Sequence, residues 1–244
     1  MPFSPTHPDP ATAQSLLGLA KPPIAVAFSA APPPGVERWR GGPMPAGCSF
    51  WQRAMAGEAF YTLPADHLNC AVGSYTHQID LPAERAHELQ DTVEFMVQNR
   101  YLDLSEVPGI PRLPIAPGAV AYAPIDHAQF TPDVVILAVK PSQAMLVYEA
   151  GLKAGAGDAL ASTLGRPGCA LLPLVQASGK VALSFGCKGN RTFTGTPDEE
   201  LYIAVPGSAW PAVVVKLAEV VEANAVMGDY YAGQKAKFAG SAAR

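Results

Sequence analysis

The sequence predicts an α/β (or α+β) protein in which two pseudo-twofold-related α/β repeats pack as one compact globule. Three observations carry this expectation. Short, nearly continuous apolar runs, such as residues 24–28 and 134–139, alternate with segments of helical composition. The 25 prolines and 22 glycines are spread along the chain, which suits short elements joined by rigid turns. The same punctuation also occurs twice: apolar strand, Gly-Cys, short helix, glycine stop, strand, cysteine turn.

In chain order, Asp9 is a candidate N-cap and Pro10 a candidate first residue for a helix over 9–19, which Pro22-Pro23 stops. Residues 24–28 form a buried strand, and the proline loop 31–35 and an irregular stretch 38–45 follow. A helix over 48–56 ends at Gly57, a natural C-cap. A strand over 59–63 is closed by Pro64, and Cys70 opens another short piece. Residues 82–98 read as a helix, with Leu89, Val93, Met96 and Val97 at helical spacing and Glu84 in the first turn. Beyond the proline cluster 108–114 come strands at 119–122 and 133–139. The second is an uninterrupted apolar run of the kind covered on both faces. Helices are expected over 143–152 and 158–164, and a third to about Ala177 that Pro173 limits or kinks. Strands follow at 181–185 and 201–205, separated by the turn 186–189. Ser208 caps a last helix over 209–223 with Pro211 in its first turn, and the tail beyond Gly233 is expected to fray.

The duplication aligns 24–28 with 134–139, Gly47-Cys48 with Gly168-Cys169, Gly57 with Gly179, 59–63 with 181–185, Cys70 with Cys187, and 82–98 with 209–223. It divides the chain into a first repeat, 1–118, and a second, 119–244. The repeat is far longer than a solenoid unit of about 20–50 residues. Two α/β units sharing one mixed sheet, or two packed sheets, are the expected forms.

The 244 residues are 49% hydrophobic and 16% charged, with a formal net charge of -4. This is a globular composition, and it lacks the basic excess of a nucleic-acid binder. No secretory signal or membrane-length apolar run occurs, so a soluble, cytoplasmic protein with reduced thiols is the default expectation. An oligomer is compatible with this composition.

All four cysteines lie in the paired segments. Cys48 and Cys169 each begin a predicted helix, where backbone N–H groups and the helix dipole favour thiolate. They are therefore the candidate nucleophilic or redox residues. No Cys-x-x-Cys occurs, which excludes local zinc-ribbon and thioredoxin patterns. If the paired turns converge, Cys48, Cys70, Cys169 and Cys187 together are candidate ligands of an iron–sulfur cluster or zinc; inert packing cysteines are the plain alternative. Lys188, Asn190 and Arg191 are candidates for holding a small anion, or else form a polar turn. His67 and His77 flank Cys70 and read as surface or hydrogen-bonded histidines, with a base or ligand as the alternative. His87 reads as solvated, His7 has no assigned role, and Asp126-His127 is a weak candidate dyad at a strand end. Phe50-Trp51 and Phe60-Tyr61 read as core.

Several of these residues also carry a family resemblance: Gly47-Cys48 with Phe50-Trp51, Ala56-Gly57-Glu58, Asn69-Cys70 with Gly73, and Gly186-Cys187-Lys188-Gly189-Asn190-Arg191 with Gly195 and Asp198-Glu199-Glu200-Leu201-Tyr202. Together they resemble the domain-of-unknown-function family 169, over about 13–228. The resemblance implies a prokaryotic α/β protein with recurrent cysteines and supplies no catalytic roles. Three expectations about function therefore stand. The first is a cysteine-centred metal or iron–sulfur binding or redox protein, with its site where the repeats meet and a small molecule or metal cofactor as partner. The second is an enzyme acting on a small anionic substrate through a reactive thiol. The third is a small-molecule binding module with structural cysteines.

Overall fold

In the computed structural model, which describes residues 11–158, 161–163 and 167–241, one sheet of order β2-β3-β1-β4-β7-β6-β5 runs through the molecule. The proposed N-cap Asp9, Pro10 and His7 lie outside the described residues. The strands are β1 (Ile24–Ser29), β2 (Phe60–Thr62), β3 (Ala119–Pro124), β4 (Val134–Val139), β5 (Ala161–Ser162), β6 (Ala182–Ser184) and β7 (Leu201–Pro206). Neighbours pair antiparallel except for the short parallel β5–β6 pair. The expected mixed sheet is thus present, and the alternative of two packed sheets is not what forms.

Strand periodicity explains why the continuous apolar runs are needed. In β4, Val134, Ile136 and Ala138 face one core, and Val135, Leu137 and Val139 face the other. On the first face lie α2 (Cys48–Met55) and α6 (Leu171–Ser178), with Phe50, Trp51, Leu171 and Leu172 buried against Tyr122 and Tyr202. The second face carries α1 (Ala11–Leu17), α5 (Pro141–Lys153) and α8 (Trp210–Ser241). Phe50, Trp51 and Phe60 are core, as their composition implies.

The middle of the sheet is the β1–β4 pairing, Ile24–Val26 against Val134–Ile136. Asp133 fastens it. Its carboxylate accepts from the Phe28 amide at 2.7 Å, its amide donates to the Val26 carbonyl at 2.9 Å, and its carbonyl accepts from the Gly207 amide at 2.8 Å. One residue therefore joins β1, β4 and the end of β7.

On one side of this seam the strand order is β1, β3, β2, and on the other β4, β7, β6. Helix α2 precedes β2 as α6 precedes β6, and α3 (Ala71–Thr76) precedes β3 as α7 (Lys188–Thr194) precedes β7. One sequence alignment does not follow this order: helix α4 (Glu88–Gln98) lies before β3, whereas α8 follows β7, so they are not equivalent. Strand β3, which begins just after residue 118, pairs with β1.

Local departures have local causes. The expected 82–98 helix is a 3-10 turn, Ala83–Arg85, followed by α4, with Arg85 and Glu88 ion-paired across the join at 2.6 Å. Residues 161–162 are strand β5 rather than helix, paired to β6. Helix α8 continues to Ser241 rather than stopping near Ala223, because 224–241 contains no proline and is rich in alanine. Among the described residues no helix is long and apolar enough to cross a membrane.

A Cβ at Gly207 would strike the Pro132 carbonyl beside the Asp133 clasp. Gly207→Ala is expected to destabilise the protein by about 1–3 kcal/mol, from overpacking against backbone that cannot yield. Urea unfolding of the two proteins measures this, and an unchanged midpoint would contradict the clasp.

Candidate functional site

The four cysteines reach one cavity from four separate elements. Cys48 is the first residue of α2, and Cys169 lies in the 3-10 turn Gly168–Ala170 that leads into α6. Cys70 and Cys187 are the N-caps of α3 and α7, and their sulfurs accept from the amides of Gly73 at 3.3 Å and Asn190 at 3.2 Å. All four line a cavity of about 730 Å³. The duplicated Gly-Cys pattern makes this approach possible. A Cβ at Gly168 would meet the Cys187 amide nitrogen and Gly186 Cα, each at 3.2 Å, so the two cysteine turns of the second half touch through their glycines. A Cβ at Gly47 would meet His67 Nδ1 at 3.0 Å.

The charges on these sulfurs are mutually felt. Burial pushes the Cys48 thiol up to about 12; the Asn190 amide opposes this, while Cys187 and Cys70 add to it. Burial pushes Cys169 well above the ordinary thiol range, with Cys70, Cys48 and Cys187 adding to the rise and a hydrogen bond from Thr76 Oγ1 at 3.3 Å opposing it. Cys70 is raised by burial first, then by Cys187, against the Gly73 amide. Between them these influences connect every pair of the four. The thiolate expected at Cys48 and Cys169 from helix N-termini does not develop, because desolvation outweighs the backbone dipoles. The cysteines are free thiols, two buried and two half-buried. Among the described residues no group of three or more His, Cys, Asp or Glu side chains is arranged to hold a metal ion.

The polar surroundings are under-satisfied. Asn190 is 1% exposed and lines the cavity; its side chain approaches Cys48 closely enough to lower that thiol's pKa, yet neither its Oδ1 nor its Nδ2 completes a hydrogen bond of full geometry. Burial raises the Tyr122 pKa first, the Cys48 and Cys169 charges add to the rise, and Thr62 beside its hydroxyl opposes it. Buried groups of this kind ordinarily find partners, so such an amide at a cavity wall marks a place where something else binds.

His67 and His77 are both buried, their rings stacked 5.7 Å apart. They belong beneath the site rather than at the surface. His67 Nε2 contacts Thr62 Oγ1 at 2.7 Å, and His77 Nδ1 contacts the Gly73 carbonyl at 3.0 Å. Burial depresses the His67 pKa to about 3, with His77 and then Arg38 adding to the effect, and depresses that of His77 to about 4 against the bond to Gly73. Both are neutral spacers that hold the turns carrying Cys48 and Cys70.

The remaining candidates separate. Lys188 and Asn190 line the cavity. Arg191 does not join them. Its guanidinium donates to the carbonyls of Pro197 at 2.7 Å and Glu200 at 2.9 Å, closing the loop after α7. The expected anion grip by Arg191 is therefore replaced by a structural role. Asp126 and His127 form a surface contact at 3.9 Å, as do His87 and Asp91.

The sequence reading did not assign α4 to this site. Leu89, Val93 and Met96 have the spacing of a core stripe, yet no residue of α4 is buried, and these three line the cavity wall with Tyr101 and Phe193. The proline cluster that follows α4 was the available signal, because it separates this helix from the strands.

A family model described as uncharacterised ArCR, DUF169, matches residues 14–216. The chain belongs to the DUF169 family. No curated protein and no solved structure matches it significantly. The DUF169 match includes all four cysteines, Asn190 and α4, and it stops within α8.

Two measurements check this geometry. Below pH 6.5 the unfolded chain protonates both histidines while the folded DUF169 protein keeps them neutral. Stability present above pH 6.5 is therefore lost as pH falls toward 4, at up to about 1.4 kcal/mol per pH unit for each histidine. Urea unfolding across that range is expected to show the loss, and a flat profile would contradict neutral burial. Separately, raising Cys48 from 9.0 to about 12 cuts its thiolate fraction near neutral pH about a thousandfold. Iodoacetamide should label Cys48 and Cys169 at least about a hundredfold more slowly than a free thiol; rapid labelling of either, followed by mass spectrometry, would restore the nucleophile reading.

Proposed function

We propose that this DUF169 protein holds an iron–sulfur cluster on Cys48, Cys70, Cys169 and Cys187, beside a cavity for a small molecule. The observation that carries the reading is that four cysteines from four elements line one cavity. Thiols that burial keeps protonated at Cys48, Cys70 and Cys169 become favourable as thiolates around a cationic centre, which deprotonates coordinating thiols outright.

Four cysteine sulfurs are the donor set of an iron–sulfur cluster or of a structural zinc, and the cluster is the reading we carry forward. Hydrogen bonds to the sulfurs tune and stabilise such a group. Here they come from the Gly73 amide, the Asn190 amide and Thr76 Oγ1. When bound, the cluster would supply one-electron or Lewis-acid chemistry. Cys48, Cys70, Cys169 and Cys187 would hold it, beside the cavity they line. The same burial that favours a cluster argues against a free thiol nucleophile.

Protein purified without oxygen is expected to be coloured and to contain several iron and acid-labile sulfide atoms per chain. Serine at any one of the four cysteines should lower the iron content by more than about half while circular dichroism stays native. Folded protein that remains colourless after anaerobic reconstitution with iron and sulfide would overturn the proposal.

A further inference from the structure

We infer that the cavity between the thiols and α4 binds a neutral, largely hydrocarbon small molecule carrying one amide-like end, with that end on Asn190. The inference rests on the proposed function in so far as the thiols belong to the cluster, and it names what the rest of the cavity takes. Its volume of about 730 Å³ falls within the roughly 300–1,000 Å³ range of small-molecule sites.

The wall decides the chemistry. Leu89, Val93 and Met96 of α4, with Phe193 of α7, offer apolar surface to the cavity instead of to the core. Leu89, Val93 and Met96 are only half-buried, and the apolar surface they leave toward the cavity stays in water unless a ligand covers it, at a cost of about 25 cal/mol per Å². Charge is compensated or peripheral. The Glu88 carboxylate is held by Arg85 at 2.6 Å and 2.9 Å, and Lys188 is exposed at the rim. An ionic ligand would find no free buried counter-charge on this wall and would leave water at a net cost.

Asn190 supplies the polar contact. It is 1% exposed; its side chain lies near enough to Cys48 to lower that thiol's pKa, and neither its acceptor nor its donor completes a hydrogen bond of full geometry. An amide or carboxamide offers a matching donor and acceptor together, whereas a hydrocarbon leaves both atoms unsatisfied. Gly186 has φ +73°, and a Cβ there would lie 2.6 Å from Asn190 Oδ1, so the turn holds the amide in place. The site is thus built from a fixed polar end and an apolar wall on a helix that packs lightly.

The test uses the full chain and neutral probes. N-phenylnaphthylamine fluorescence should rise saturably, at one site per chain. Val93→Trp, which fills the cavity from a helix with no buried residue, should weaken binding at least tenfold with an unchanged melting temperature. In displacement, naphthamide should compete roughly fivefold better than ethylnaphthalene, the worth of about one net hydrogen bond. Asn190→Leu, if folded by circular dichroism, should abolish that preference while hydrocarbon binding persists. Should Asn190→Leu not fold, the naphthamide preference and the Val93→Trp loss in the native background still decide. No saturable binding, binding unaffected by Val93→Trp, or a preference for naphthalene sulfonate would each overturn the inference. Iron content is assayed on the same samples. Probe binding without iron keeps this inference and removes the cluster, and iron without probe binding does the reverse.

Discussion

Everything in this molecule hangs on the short antiparallel contact between β1 and β4. Only Ile24–Val26 and Val134–Ile136 pair there, and Asp133 extends the contact through the Phe28 amide and the Gly207 amide. Because the two sets of strands meet at this seam in one sheet, the helices of both sets that begin at or just after a cysteine lie on the same face. Helices α2 and α6 share a single core with Tyr122 and Tyr202. Had the halves packed as two sheets, their cysteine turns would have had no common wall. The cavity is therefore a consequence of strand pairing before it is a consequence of cysteine chemistry.

On that face the protein accepts several unfavourable local arrangements together. Burial holds the Cys48 and Cys169 thiols far above their ordinary range and raises Cys70, two imidazoles are buried uncharged, and neither Oδ1 nor Nδ2 of Asn190 completes a hydrogen bond of full geometry. Core elsewhere in the sheet is simple by comparison, with alternating Val, Ile, Leu and Ala on both faces of β4 and β7. Departures from local consistency that gather in one place, against a consistent background, are the physical mark of a site.

Helix α4 completes the arrangement in a different way. It is joined to the body by a 3-10 turn on one side and a proline-rich stretch on the other, and it touches α3. Its apolar residues face a space rather than a core. A helix stabilised by few buried contacts opens locally at low cost, which suits the outer wall of a ligand cavity.

Much of the strand and helix pattern was legible in the sequence, because it depends on short-range rules. Pro22-Pro23 and Pro64 mark where elements stop and start. The left-handed glycines Gly57 and Gly179 end α2 and α6, and the apolar runs at β1 and β4 are buried on both faces as such runs must be. The recurrence of Gly-Cys was also plain, and with it the place to look. Helix α8 ran past its expected end because 224–241 contains no proline, and Gly228, Gly233 and Gly240 do not interrupt it.

What tertiary structure alone decided was the meaning of these features. Whether helix N-termini lower a thiol pKa or burial raises it depends on how much protein covers the sulfur, which no spacing reveals. Arg191 reads as an anion grip until the loop carbonyls that occupy it are seen. Leu89, Val93 and Met96 have the same spacing whether a helix faces a core or a cavity. The local sequence determined the elements and supplied the four thiols. Long-range pairing at the β1–β4 seam determined that they meet, since contacts between residues about a hundred positions apart bring Cys48 and Cys70 to Cys169 and Cys187.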